Sequence, residues 1–326
     1  MRRLEFAPND LGCPLGLASP PAAGCGPHPR LGGSAGEGDL GVVGGHADVA
    51  RPLVPRRDYA AGTQTVCRIN ASARPVAPPP AGTVHVWTVS LRCEPDDLSR
   101  LTGYLSADEL AGARHFRFDH HRRRFIVRRA ALRSILGEYL QTPSREVAYR
   151  AGPCGKLEFA TGGRPPISFN SSHSEDWAAV AVASPGRLGV DIEMVRPAPE
   201  DAELAEGCLS APERDALRSI PLGERPTSFF QLWARKEAFA KALGLGLCLP
   251  FDRFDVSVGP GPPSLLRFDD DDQPDRTWAL AEPRAPRGFV AALALDDPIR
   301  ALSYWSGSVA TGIAPHDEAA DVPAYR

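Results

Sequence analysis

The chain has 326 residues, 43% of them hydrophobic and 24% charged, with a formal net charge of −3. That length suits one or two domains with a sizeable core. The near-neutral balance excludes a chain dominated by nucleic-acid charge or by an acidic tail. No uninterrupted apolar run nears the ~20 residues that span a bilayer. The opening MRRLEFAPNDLGCPLG lacks the apolar stretch of a secretory leader. Seven cysteines at irregular spacing, with no CxxC, argue against a zinc knuckle or a disulfide framework. A reducing cytoplasm is the expected compartment.

Thirteen of the 31 glycines and twelve of the 33 prolines fall within residues 1–83. Such a segment buries too little apolar area to offset its backbone entropy. It reads as a disordered extension. Order is expected from Val84. VHVWTVSL (84–91) alternates as a strand. Ser106, with Glu109 three residues on, is a capping-box signature for a helix. Residues 120–140 read as a long amphipathic helix. Its apolar face carries Phe125, Val127, Ala131, Leu132, Ile135, Leu136 and Leu140. Strands are expected at 146–150, 166–170, 177–184 and 187–195, the last two separated by Pro185-Gly186. A helical patch covers 200–219. A strong helix covers 227–244, with Gly244 and Gly246 as stop signals. Strands follow at 251–258, 265–269, 277–283 and 288–295, and the pattern ends near 306. Both halves combine helices with antiparallel strands, which predicts an α+β protein of two similar lobes.

Five constellations carry chemistry. Asp191 and Glu193, two apart in a strand, project to one face while Val190, Ile192 and Met194 face the core. Like charges so placed repel unless a cation intervenes, and Mg²⁺ suits such a pair. The alternative is an edge strand with two solvated acids. In the helix at 227–244, Trp233, Glu237 and Lys241 form one stripe beside Lys236. Glu237 is a third metal ligand or a base there, or else half of an exposed Glu–Lys pair. FNSSHS (169–174) offers Ser172 and His173 to an anion, or is a polar turn. Eight arginines and one aspartate lie between 114 and 133. Arg124 and Arg128 share a face there, with Arg117 and Arg133 nearby. Their forks match phosphate, an acidic protein surface or nucleic acid, or are a solvated face. No interleaved aromatics support single-strand stacking. Lys156 sits in a glycine-flanked turn, GPCGKLEF.

The order of these motifs is more specific than any one of them. A basic helix, GK, FNxSHS, GVDIE (189–193) and WARKEAFAKALGLGL (233–247) together resemble the 4′-phosphopantetheinyl transferases of the two-lobe, surfactin-activating type. The resemblance covers roughly 84–300. It implies two α+β lobes related by a pseudo-twofold axis, 84–184 on the coenzyme A side and 185–305 with the metal and catalytic motifs. The disordered extension (1–83) and a flexible tail (306–326) flank them. It implies transfer of phosphopantetheine from coenzyme A to a serine of an apo acyl- or peptidyl-carrier protein, releasing adenosine 3′,5′-bisphosphate. It implies a cytoplasmic monomer that binds neither nucleic acid nor membrane. Asp191, Glu193 and Glu237 are then the Mg²⁺ ligands. Arg124, Arg128, Lys156, Ser172, His173 and Lys236 hold coenzyme A. Lys241 faces the pyrophosphate, and Glu237 or Glu213 is the base. The chain departs from the family pattern in GKL for GKP, in Ser171 for an aliphatic residue, and in Glu109 and Gly112 where some members place lysines. A Mg²⁺-dependent phosphohydrolase and a non-catalytic nucleic-acid module remain as rival readings.

Overall fold

The computed structural model describes residues 77–160, 165–196, 208–268, 277–308, 312–315 and 320–321, all within one compact unit. The extension expected at 1–83 lies, through residue 76, outside the described residues.

The first half begins with strand β1 (Thr83–Ser90) and helix α1 (Pro95–Leu101). Helix α2 (Ala107–Ala113) starts on a complete capping box: Ser106 accepts from the Glu109 N–H, and Glu109 accepts from the Ser106 N–H. The long helix α3 (Asp119–Leu140) ends at Gln141, whose φ of 50° turns the chain out of the helix. A hairpin of β2 (Tyr149–Ala151) and β3 (Leu157–Phe159) follows, then β4 (Ser168–Ser174) and β5 (Trp177–Ala183). The second half repeats this order. Strand β6 (Leu188–Met194) precedes a second capping-box helix, α4 (Ala211–Ser219), built on Ser210 and Glu213. The long helix α5 (Arg225–Leu243) stops at Gly244, where φ is 83°. The hairpin β7 (Phe254–Val256) and β8 (Leu265–Phe268) comes next, then β9 (Ala279–Ala281) and β10 (Phe289–Leu295). The fold is α+β, as the two-part pattern predicts.

Strand β11 (Ala301–Ser308) lies parallel to β1, with Val84 opposite Leu302 and Trp87 opposite Trp305. It carries two short strands at Gly312–Pro315 and Ala320–Asp321. The sequence pattern stops near 306, yet residues 306–308 complete this strand. Its residues 301–305 join the sheet of the first half. β1 and β4 both pair antiparallel with β5, so the large sheet runs β12-β11-β1-β5-β4 (β12 being Gly312–Pro315). The smaller sheet runs β6-β10-β9.

Side-chain alternation sorts three cores. Trp87, Val89, Val180 and Val182 pack under α3 residues Phe125, Leu132 and Leu136. Val84, Val86, Ala179 and Ala181 meet Val190, Ile192, Leu293 and Leu302 between the two sheets. Ala292, Ala294 and Leu280 pack under α5 residues Phe230, Ala238 and Phe239. Hence Val190 and Ile192 face the inter-sheet core, and Gly189, Asp191 and Glu193 face α5. A Cβ on Gly189 would stand 1.9 Å from the Ala238 carbonyl oxygen. Only glycine lets β6 lie that close to α5.

Candidate active site

The close approach of β6 and α5 gathers the predicted acids. Asp191 is 1% exposed. Its Oδ1 accepts from Lys241 Nζ at 2.5 Å and from Ser172 Oγ at 2.7 Å. Lys241 Nζ also donates to Glu237 Oε2 at 2.9 Å and to Ser172 Oγ at 3.0 Å. All three ammonium protons are therefore used. Ser174 Oγ donates to Glu193 Oε2 at 2.8 Å and accepts from the Met194 N–H at 3.1 Å. Asp191, Glu193, Glu237, Lys241 and Ser172 thus form one buried polar group between β4, β6 and α5. The two strand acids are not solvated, and the Glu237–Lys241 pair is not an exposed helix pair.

Burial sets the electrostatics. It raises the Asp191 carboxyl to about 6, a shift opposed by Lys241 and reinforced by Glu237. Burial and then repulsion from Asp191 and Glu237 raise Glu193 to about 8. Desolvation works against the Lys241 ammonium, but Asp191 and Glu237 outweigh it and hold it charged. Asp191 Oδ2 is buried and has no hydrogen-bond partner. An unpaired buried carboxylate oxygen is costly, and a divalent cation would satisfy it. Among the described residues, no three acidic, histidine or cysteine side chains enclose an ion as they stand. Lys241 bridges Asp191 and Glu237 instead.

His173 lies on the opposite face of β4 from Ser172. Its Nδ1 accepts from Arg128 at 3.3 Å. Burial, then the charges of Arg128, Lys241, Arg129 and Arg124, push its pKa well below 6.5, so the ring is neutral. The Arg128 guanidinium against this neutral ring presents N–H donors that suit a phosphate. Arg128 and Arg129 are buried in α3, where the amphipathic reading expects arginine in solvent. Arg124 donates from Nε to Asp176 at 2.9 Å and pairs with Glu175 at 3.0 Å. Both acids sit in the β4–β5 turn, so Arg124 borders this region already paired.

Three predicted residues lie elsewhere. Glu213 is 2% exposed and accepts from Lys236 Nζ on both oxygens at 2.7 Å and from the Val256 N–H at 2.9 Å. It also closes its own capping box. Both oxygens of this carboxylate are taken by internal donors, so of the two candidate bases Glu213 is the one already committed to the fold. Lys236, fully buried, completes its contacts with the Phe254 carbonyl at 2.6 Å. Its three ammonium protons all go to internal acceptors, Glu213 and the Phe254 carbonyl. Lys156 Nζ donates to the carbonyls of Leu188 at 3.0 Å and Ala242 at 3.3 Å. It fastens the β2–β3 turn across the ends of β6 and α5. Burial lowers its pKa to about 8.

Glu109 explains one departure from the family pattern. It pairs with Arg133 Nε at 2.5 Å and accepts from the Tyr149 hydroxyl. Arg133 also donates to the Val147 carbonyl at 2.8 Å. Glu109 is thus the first half's counterpart of Glu213. Sequence reasoning missed the hydrogen bonds that Asn170 and Ser174 make to β6. Their i, i+2, i+4 spacing with Ser172 was the available signal.

Comparison with known proteins points to one family. Residues 187–294, from the start of β6 to the end of β10, match the 4′-phosphopantetheinyl transferase superfamily. The chain is 35% identical over 216 residues to the 4′-phosphopantetheinyl transferase HetI of Nostoc sp., covering 65% of this chain and 87% of that protein. It is 31% identical over 177 residues to the transferase psf-1 of Bacillus pumilus, covering 54% and 74%. It is 28% identical over 163 residues to the transferase Sfp of Bacillus subtilis (strain 168), covering 50% and 70%. With its β6 acids, its α5 Glu–Lys pair and a relative matched over most of its length, the chain belongs to the 4′-phosphopantetheinyl transferase superfamily.

Proposed function

We propose that the enzyme moves the 4′-phosphopantetheine group of coenzyme A onto a serine hydroxyl of an apo acyl- or peptidyl-carrier protein, with Mg²⁺, releasing adenosine 3′,5′-bisphosphate. The observation that carries this reading is the Asp191 carboxylate. One oxygen is held by Lys241 and Ser172, and the other is buried without a partner beside two further acids. This donor set of Asp191, Glu193 and Glu237 fits a hard divalent cation. Mg²⁺ held there supplies neutralisation of the pyrophosphate charge.

The chain's own residues supply the rest. The neutral His173 ring and the Arg128 guanidinium face the side of β4 where a coenzyme phosphate is stabilised by N–H donors. Lys241 has no spare proton, so contact with a phosphate oxygen exchanges one of its three bonds for the new one. Glu237, held by Lys241 Nζ at 2.9 Å beside the Asp191 carboxylate, is placed to take the serine proton as the base. The lobe boundary belongs at the Pro185-Gly186 turn, with 84–184 contributing the arginines and His173 and 185–305 the acids, its last residues, 301–305, crossing back to the first sheet. We place the enzyme in the cytoplasm as a monomer. Among the described residues no helix is long and apolar enough to cross a membrane.

The test is incubation with coenzyme A, Mg²⁺ and an apo carrier protein. The carrier should gain about 340 Da, the mass of the transferred group. Hydrolysis of coenzyme A with no mass gain on the carrier would establish the phosphohydrolase reading instead.

A further inference from the structure

β4 and β6 are the facing edges of the two sheets. They pack against each other, yet no backbone ladder joins them among the described residues. Side chains do so instead. Asn170, Ser172 and Ser174 point from one face of β4 toward β6. Asn170 Oδ1 accepts from the Val190 N–H at 2.8 Å. Ser172 Oγ donates to Asp191 at 2.7 Å. Ser174 Oγ donates to Glu193 at 2.8 Å and accepts from the Met194 N–H at 3.1 Å. Each of these three residues is buried.

We infer that Ser174 is a positioning residue for the metal ligand Glu193, with Asn170 setting the register of the same seam. This rests on the proposed reading of Asp191, Glu193 and Glu237 as the Mg²⁺ ligands.

The argument is one of degrees of freedom. A glutamate has three side-chain torsions, and each costs entropy when a ligand must fix it. Ser174 has one. Its hydroxyl is fixed at both ends, by the Met194 N–H it accepts and the Glu193 oxygen it donates to. Met194 is the next residue after Glu193, so Ser174 ties the carboxylate to its own backbone. Asn170 repeats the device one residue before Asp191, on the Val190 N–H. The acids of β6 are therefore indexed to β4, the strand that also carries His173. A backbone ladder between β4 and β6 would draw the strands to about 4.8 Å. Serine and asparagine rungs hold them apart by the length of a side chain. Outer partners of metal-binding carboxylates are worth about 10- to 100-fold in metal affinity.

The experiment is a calorimetric Mg²⁺ titration of the full-length protein stripped of metal, without coenzyme A. It compares wild type, Ser174→Ala and Ser174→Thr. Ser174→Ala should weaken Mg²⁺ by about 10- to 100-fold. Ser174→Thr, which keeps the hydroxyl, should stay within a few-fold of wild type. In turnover, the half-saturating Mg²⁺ concentration should rise for Ser174→Ala while the KM for coenzyme A holds. If Ser174→Ala does not fold, Ser174→Cys, which keeps the volume and weakens the donor, is read in its place, with a smaller loss expected. Mg²⁺ affinity equal to wild type in a folded Ser174→Ala protein, with or without a lower melting temperature, makes Ser174 purely structural and overturns the inference. A wild-type chain that binds no Mg²⁺ overturns the metal reading itself, and this inference with it.

Discussion

Lys241 and Asp191 form a buried ion pair, Nζ to Oδ1 2.5 Å, and the same ammonium reaches Glu237 at 2.9 Å. From sequence, acids converging on one cleft demand a metal to relieve their repulsion. The structure supplies a resident cation from the next turn of the same helix. Removing it should expose the repulsion. Lys241→Met should destabilise the metal-free protein by about 3–5 kcal/mol, the cost of stranding a buried charge. Mg²⁺ should then raise the melting temperature of the variant more than that of wild type. Equal Mg²⁺ responses in scanning calorimetry would mean that the acids and the lysine are not electrostatically coupled.

Glu213 and Lys236 make the second buried pair, and it serves the fold. Glu213→Gln should cost about 3–5 kcal/mol in denaturant unfolding, because Lys236 stays buried without its counter-charge. The folded fraction should keep kcat within a few-fold of wild type. Replacing both, as Glu213→Leu with Lys236→Met, should recover much of the stability. A loss of kcat by orders of magnitude in well-folded Glu213→Gln would restore Glu213 as the base.

Gly189 sets the distance between the acids and the helix. Gly189→Ala drives a methyl into the Ala238 carbonyl, so α5 must move. The expected stability loss is about 1–3 kcal/mol or more. Activity should fall further than stability, since Glu237 and Lys241 shift relative to Asp191. Chemical denaturation and turnover on one preparation check both. Wild-type values for each would mean that the β6–α5 spacing is not fixed by this contact.

His85 gives the protein an acid-sensitive point far from these carboxylates. Its Nδ1 lies 2.8 Å from the Tyr139 hydroxyl, to which Trp87 Nε1 donates at 3.0 Å. Burial lowers its pKa to about 4. The unfolded chain then binds this proton first. The stability contribution is present above about 6.5 and is lost as pH falls from about 6.5 toward 4. His85→Gln removes the titration and should flatten that part of the stability–pH curve. A slope identical to wild type would assign the acid sensitivity to other groups.

What the sequence made legible was local. The capping box at Ser106, the two long helices and the alternation of β6 follow from patterns within ten residues. The placement of Asp191 and Glu193 on one face follows from strand period alone. Three things were not legible. Strand β11 pairs with a partner more than 200 residues away, and nothing in ALSYWSGS names that partner. Arg128, Arg129 and Arg133 are buried because acceptors from other elements meet them, and helical periodicity counts them as solvated. Glu213 and Glu237 are both glutamates beside a lysine of one helix. Only the direction each side chain takes from the backbone separates a structural pair from a site.

The position of β11 bears on how the chain assembles during synthesis. β11 lies inside the large sheet, between β1 and the strand at Gly312–Pro315. A ribosome that has released only the first half presents β1 with one edge paired to β5 and the other bare. Bare strand edges invite pairing with other chains, and domains ordinarily fold as they emerge. Here the first sheet waits for a strand more than 200 residues downstream. Stopping translation before residue 301 should leave even the earliest-made half prone to aggregate, and supplying Ala301–Ser308 as a separate peptide should protect it.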